Sequence, residues 1–177
     1  MKLKVATIWL DGCSGCHMSF LDMDERIIAL SEQIEVVYSP YVDTKLKDMP
    51  NDIDLALVEG AVSSEEDREK IHLIRKNSKF IIAFGDCAIT GNVSAMRNPF
   101  GPKSILEHAY KELTSEGEFP EIEVPKLLEN ATPVHEWVHV DLHLPGCPPP
   151  ADAIYTVLSD LLAGKTPDVS ALTRFGK

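Results

Sequence analysis

Residues 3–33, "LKVATIWLDGCSGCHMSFLDMDERIIALSEQ", decide the fold. Leu3 to Leu10 form an apolar run of strand length. From Met18 onward Phe20, Met23, Ile27, Leu30 and then Ile34 recur at three- and four-residue steps, the spacing of an amphipathic helix expected over 18–33. A buried strand that passes through a Gly-rich turn into a helix is the first half of a βαβ unit.

The alternation continues along the chain. "IEVVYSP" (34–40) reads as a second strand and "DIDLALVEGAV" (52–62) as a third. The next helix starts on what resembles a capping box, with Ser63 three residues before Glu66. "KFIIAFGDCA" (79–88) gives a fourth strand and "KSILEHAYKEL" (103–113) a helix. Residues 114–137, rich in Pro, Glu and Asn, read as an irregular excursion. "HVDLHLPGCPPP" (139–150) is a fifth strand that stops at three prolines, and "ADAIYTVLSDLLAGK" (151–165) a closing helix with Gly164 as its stop. Strands alternating with helices imply an α/β fold, a flavodoxin-like doubly wound, mostly parallel five-stranded sheet with helices on both faces. With 177 residues and 44% hydrophobic content, a single domain over 1–177 is expected.

Composition excludes several function classes. A formal net charge of −11 leaves no basic surface for phosphates, so no nucleic-acid partner is expected. The densest charge run, "SSEEDREKIHLIRKNSK" (63–79), mixes signs at helical spacing and reads as a solvated helix face. No stretch approaches the roughly 20 apolar residues that span a bilayer. The apolar run near the N-terminus is too short for a signal peptide and no twin arginine precedes it, so the chain is expected in the cytoplasm.

Four cysteines in a chain of this size are too few for a secreted disulfide scaffold. Cys13 and Cys16 follow the first predicted strand, Cys87 the fourth and Cys147 the fifth, so all four belong to the sheet edge where ligands collect in open parallel sheets. Four converging thiolates suit zinc or an iron-sulfur cluster. A zinc ribbon takes its ligands as two CxxC knuckles, whereas here only the first pair is one, which favours a cluster. A thioredoxin-like dithiol would account for Cys13 and Cys16 alone, and "GCSGC" has neither an aromatic before the first Cys nor Pro or His between the pair. Gly12 and Gly15 instead let backbone approach a bulky group and aim N–H donors at its sulfides.

The segments "IWLDGCSGCHMSFLDMDE" (8–25), "LVEGAV" (57–62), "FGDCAITGNVSAMRNPFG" (84–101) and "PGCPPP" (145–150) resemble the small subunit of nickel-iron hydrogenases, nearest to the soluble, bidirectional, NAD-linked group. The resemblance covers nearly the whole chain. It implies that Cys13, Cys16, Cys87 and Cys147 ligate one 4Fe-4S cluster proximal to a nickel-iron centre on a separate large subunit. Electrons would pass to an iron-sulfur and flavin diaphorase module that carries FMN and NAD, making this chain a subunit of a hydrogen dehydrogenase and inactive alone. Small subunits of exported hydrogenases add a leader and a second Cys-rich domain, neither expected here. The related subunit of NADH dehydrogenase has adjacent cysteines where this sequence has Cys13-Ser-Gly-Cys16, which makes the quinone-linked reading weaker. A related subunit with another acceptor, or a structural zinc module built on the four cysteines, is the alternative.

Further residues stand near that edge. Glu59 either caps a loop or helix or lies beside the cluster, relaying protons or joining its iron. His17 is either a donor to a cluster sulfide or an ordinary helix-start residue. Arg97 is a candidate for the cluster surroundings or the subunit contact, and the 91–101 loop, Met18 and Phe20 for burial against the large subunit. His135, His139 and His143 are spaced by fours, but in a strand each step spans roughly 13 Å, so they read as structural. Fold analogy alone would allow a flavin, but the first loop holds cysteines in place of a hydroxyl-rich phosphate cradle, so no FMN is expected on this chain.

Overall fold

The computed structural model describes residues 2–114 and 118–176. Five strands, β1 (Leu3–Trp9), β2 (Ile34–Tyr38), β3 (Ile53–Glu59), β5 (Ser78–Phe84) and β7 (Leu142–Leu144), pair in the order β2-β1-β3-β5-β7. Every pairing in this sheet is parallel. In chain order this is 2-1-3-4-5, the doubly wound arrangement in which the winding reverses between β1 and β3.

Side-chain alternation along the strands explains why both faces need cover. Ala6, Ile8, Ala56, Val58, Ile81 and Ala83 lie in one buried cluster with Ile71 and Ile74 of α3 (Glu65–Asn77) and Ala88 and Ile89 of α4 (Asp86–Thr90). Val5, Leu55, Leu57, Ile82 and Phe84 lie in the other, with Phe20 of α1 (Gly15–Leu21), Leu30 of α2 (Glu25–Ser31) and Ile154, Val157 and Leu158 of α7 (Ala151–Leu162). Strands buried on both sides read as continuous apolar runs, as β1 and β3 do.

Local structure departs from expectation at six places. The helix expected over 18–33 is two helices, α1 and α2, because Asp24 takes φ of 51° between them. The third strand ends at Glu59, where Gly60 turns the chain at φ of 93°, and β4 (Val62–Ser64) begins a separate element. The capping box is shifted by one residue: Ser64, not Ser63, accepts the Asp67 N–H, and the Asp67 carboxylate, not Glu66, reaches back to the Ser64 N–H. The excursion over 114–137 contains β6 (Leu127–Thr132), paired antiparallel with β4; its residues 115–117 lie outside the described residues.

The remaining two departures concern the last third of the chain. The helix expected over 103–113 is α6 (Gly101–Glu107) followed by a π-helical turn over His108–Glu112. The fifth strand is three residues long, because a 3-10 turn at Val134–Glu136 and a bend precede it. That bend brings the rings of His135 and His143 to 5.8 Å, so the expected extended separation does not hold, while His139 Nε2 faces Asp141 at 3.4 Å. A short α5 (Asn92–Ala95) follows α4, and α8 (Val169–Leu172) follows α7, whose end is marked by Gly164 at φ of 69° as expected.

Candidate metal centre

The first strand delivers its loop to a fixed place. Beyond Trp9 the chain runs antiparallel to the turn after β3, with Asp11 and Ala61 exchanging both backbone hydrogen bonds at 3.1 and 2.8 Å. Leu10 N–H donates to the Glu59 carbonyl, and Trp9 Nε1 donates to the Gly12 carbonyl at 3.0 Å. A side chain at Gly60 would meet the Leu10 and Asp11 backbone at 2.8 to 2.9 Å, so this close approach requires glycine. Cys13 emerges exposed from this loop, and Cys16, at the start of α1, is buried.

The other two thiols arrive on loops joined to each other. Gly85 N–H donates to the Leu144 carbonyl and Asp86 N–H to the Gly146 carbonyl, both at 2.9 Å. The buried Asp86 carboxylate accepts from Gly146 N–H at 2.7 Å and from Gly176 N–H at 2.8 Å. Cys87 opens α4 half-buried, and Cys147 lies exposed just past Gly146, where Asn92 Nδ2 donates to its Sγ at 3.4 Å. Ser19 of α1 donates to the Pro149 carbonyl at 2.6 Å, tying the first cysteine loop to the last.

The result is a shared concavity. Cys13, Cys87 and Cys147 line a cavity of about 280 Å³ with Asp11, Gly12, Val93 and Ser94. Cys16 Sγ lies against Gly85, close enough that a Cβ there would sit 2.2 Å from the sulfur. Burial first, then the Glu59 carboxylate and then the three other thiols push the Cys16 thiol well up from its ordinary value. Burial likewise raises Cys87, opposed by the Val93 N–H and reinforced by Cys13, Cys147 and Glu59. Cys16 and Cys87 therefore each feel the other thiols and the Glu59 carboxylate, which together with burial disfavour their thiolate forms.

Around one tetrahedral zinc, sulfurs at about 2.3 Å from the ion stand about 3.8 Å from each other. Among the described residues no three His, Cys, Asp or Glu side chains form a group that could hold a single metal ion.

Glu59 and His17 form a buried pair beside this cavity. Glu59 accepts from the His17 backbone N–H at 3.0 Å and meets the His17 ring Nδ1 in a short contact. Its other oxygen lies near Gly12, where a Cβ would stand 3.5 Å from Oε1. The capping role weighed for Glu59 is therefore present, though across the sheet edge: the carboxylate caps α1, not the helix after β3. The His17 ring packs beside Tyr41 and Phe84, and its Nε2 is buried with no partner among the described residues. Gly15 N–H donates to Cys13 Sγ at 3.4 Å.

Arg97 does not reach the cysteines. Its guanidinium donates to the carbonyls of Ser63, Leu128 and Glu129 at 3.1, 2.9 and 3.2 Å, where β4 meets β6. Sequence reasoning missed Gly85 and Asp86, whose only signal was their place directly before Cys87 in "FGDC". Val93, which lines the cavity, is exposed, as are Met18 of α1 and Met96 and Phe100 of the segment after α5. Phe20, expected beside Met18 at a subunit contact, is instead turned into the core under α1 and α7.

Comparison with known proteins adds a family to this geometry. Residues 13–161 match the family of the NADH ubiquinone oxidoreductase 20 kDa subunit. The NAD-reducing hydrogenase HoxS subunit delta of Cupriavidus necator is 41% identical, over 98% of this chain and 86% of its own. A subunit of the F420-non-reducing hydrogenase of Methanocaldococcus jannaschii is 37% identical over 94% of this chain, which spans 58% of that relative's length. A chain in the crystal structure of an NAD+-reducing [NiFe]-hydrogenase in the H2-reduced state superposes with a TM-score of 0.93, at 39% identity and with 99% of each chain covered.

Proposed function

The chain belongs to the NADH ubiquinone oxidoreductase 20 kDa subunit family, and from that premise we propose that it is the small, electron-transferring subunit of an NAD-reducing nickel-iron hydrogenase. The observation that carries this reading is that Cys13, Cys87 and Cys147 line one cavity at the sheet edge, with Cys16 close enough to feel the other three thiols. Cys13, Cys16, Cys87 and Cys147 would hold one 4Fe-4S cluster there. When bound, that group supplies one-electron transfer between the nickel-iron centre of a large subunit and a diaphorase module carrying FMN and NAD.

The chain's own residues would hold and shield the group. Cys16 anchors it from the buried side, Cys13 and Cys147 from the exposed side, and Gly15 and Asn92 donate to sulfur. The Glu59–His17 pair fixes the start of α1, and with it Cys16, and sets a carboxylate beside the site. The exposed side chains of Met18, Val93, Met96 and Phe100 would supply apolar surface for the large subunit. All four thiols are committed, so none remains for a nickel centre, and the isolated chain is expected to be inactive.

Support for an NAD-linked assignment comes from the 41% identity to the NAD-reducing hydrogenase HoxS subunit delta and from the 39% identity and TM-score of 0.93 with a chain of an NAD+-reducing [NiFe]-hydrogenase. No described helix is long and apolar enough to cross a membrane, and the reading places the complex in the cytoplasm. The test is to isolate the complex without oxygen and measure metals on this chain. About four irons and as many labile sulfides are expected, and Cys87→Ser should lose them together with hydrogen-dependent NAD+ reduction. Stoichiometric zinc without iron would establish a structural zinc module instead.

A further inference from the structure

Two of the four thiols come to the cavity on separate loops, and one side chain fastens those loops together. Asp86 precedes Cys87 directly. Its backbone N–H and its carboxylate Oδ1 together bracket Gly146, which precedes Cys147 directly: one bond runs to the Gly146 carbonyl and the other comes from the Gly146 N–H. Its second oxygen accepts from Gly176 N–H, and Thr173 Oγ1 donates to the Pro145 carbonyl at 2.9 Å. The residues after α8 are thus bonded to both single-cysteine loops, at Pro145 before Cys147 and at Asp86 before Cys87.

We propose that Asp86 is the positioning residue for the two single-cysteine loops, and that Thr173–Gly176 is the strap it fastens to them. The inference rests on the cluster reading of the four cysteines. The physical reasons are burial and valence. Asp86 is 6% exposed, and no ion pair to it occurs among the described residues. A carboxylate in that setting is sustained by the N–H groups it accepts from, and each lost donor leaves a buried acceptor unsatisfied. An amide at this position keeps one acceptor but turns an N–H towards the Gly176 N–H, so the strap loses its anchor while the Gly146 bond remains possible.

Asp86→Asn should therefore act on the site without removing a ligand. In the full complex this chain should keep its iron. The cluster's reduction potential should move upward, since a negative charge beside it favours the oxidised, less negative state. Amide hydrogen exchange at Gly176 should accelerate in the iron-free chain as well as in the complex. Accelerated exchange with unchanged potential and iron would limit Asp86 to the fold and overturn the proposal, as would unchanged exchange.

If Asp86→Asn does not fold, a chain ending at Arg174 removes the Gly176 donor and leaves every cysteine in place. It should show faster exchange at Gly146 and faster loss of iron to a chelator; wild-type behaviour in both would also overturn the proposal. Absence of iron from the unaltered complex is a different failure, that of the cluster reading, and leaves the exchange measurements on the iron-free chain to judge the clamp.

Discussion

Gly85→Ala is the substitution whose effect can be worked most directly from the geometry. Gly85 holds φ of 86° and ψ of 164°, a region open to glycine and costing other residues about 1–3 kcal/mol. The added Cβ would also lie 2.2 Å from Cys16 Sγ and 3.6 Å from Cys16 Cβ. Ordinary contact requires the sulfur to retreat by well over 1 Å into a close-packed interior, and such overpacking costs about 1–3 kcal/mol more. Phe84, fully buried, belongs to the same cluster as Cys16 and leaves little room for that movement.

The combined loss of about 4 kcal/mol corresponds to a fall in Tm of roughly 10 °C for a chain of this size. Iron retention should fall with it, because the buried anchor is displaced. Circular dichroism melting of the iron-free chain and iron per chain in the complex measure the two effects. Gly164→Ala is the control: φ is 69° but nothing lies within 4 Å of the new Cβ, so about 1 kcal/mol of strain and full iron are expected. Gly85→Ala with wild-type Tm and full iron would refute the placement of Cys16 against Gly85 and its role as the buried anchor.

Two further outcomes follow from the electrostatics. In the iron-free chain at neutral pH, an alkylating reagent should label exposed Cys13 and Cys147 before Cys16 and Cys87, whose thiols are raised by burial and by their neighbours; peptide mapping should show Cys87 labelling accelerate as pH rises, and uniform labelling would contradict the burial. For Asp141, burial alone would raise the carboxyl, but the Ile81 N–H at 2.8 Å and the Arg75 guanidinium at 2.8 Å outweigh it and hold the group below the usual carboxylate range. Its stabilisation is present above the unfolded value of about 3.9 and is lost as pH falls through the lower folded value. Asp141→Asn should therefore cost about 1–2 kcal/mol at neutral pH and progressively less in acid, as read by urea unfolding; a gap independent of pH would disprove the assignment.

Much of this protein is written in local order. The apolar runs of β1, β3 and β5, broken by amphipathic stretches, determine a parallel sheet, because strands buried on both faces have no polar side to display. The same order puts Cys13, Cys16, Cys87 and Cys147 after strand ends, so their common edge follows from parallelism alone. Tertiary structure decided what depends on neighbours distant in sequence. No periodicity signals that β6 pairs with β4, that Asp24 breaks the first helix, or that a bend draws His135 to His143. Glu59 reaches His17 from 42 residues away, and Asp86 reaches Gly146 from 60. Such contacts exist because the sheet order places β3 beside β1 and β7 beside β5. Local sequence chose the residue types at the sheet edge, and the chain crossings set which carboxylate bonds to which loop.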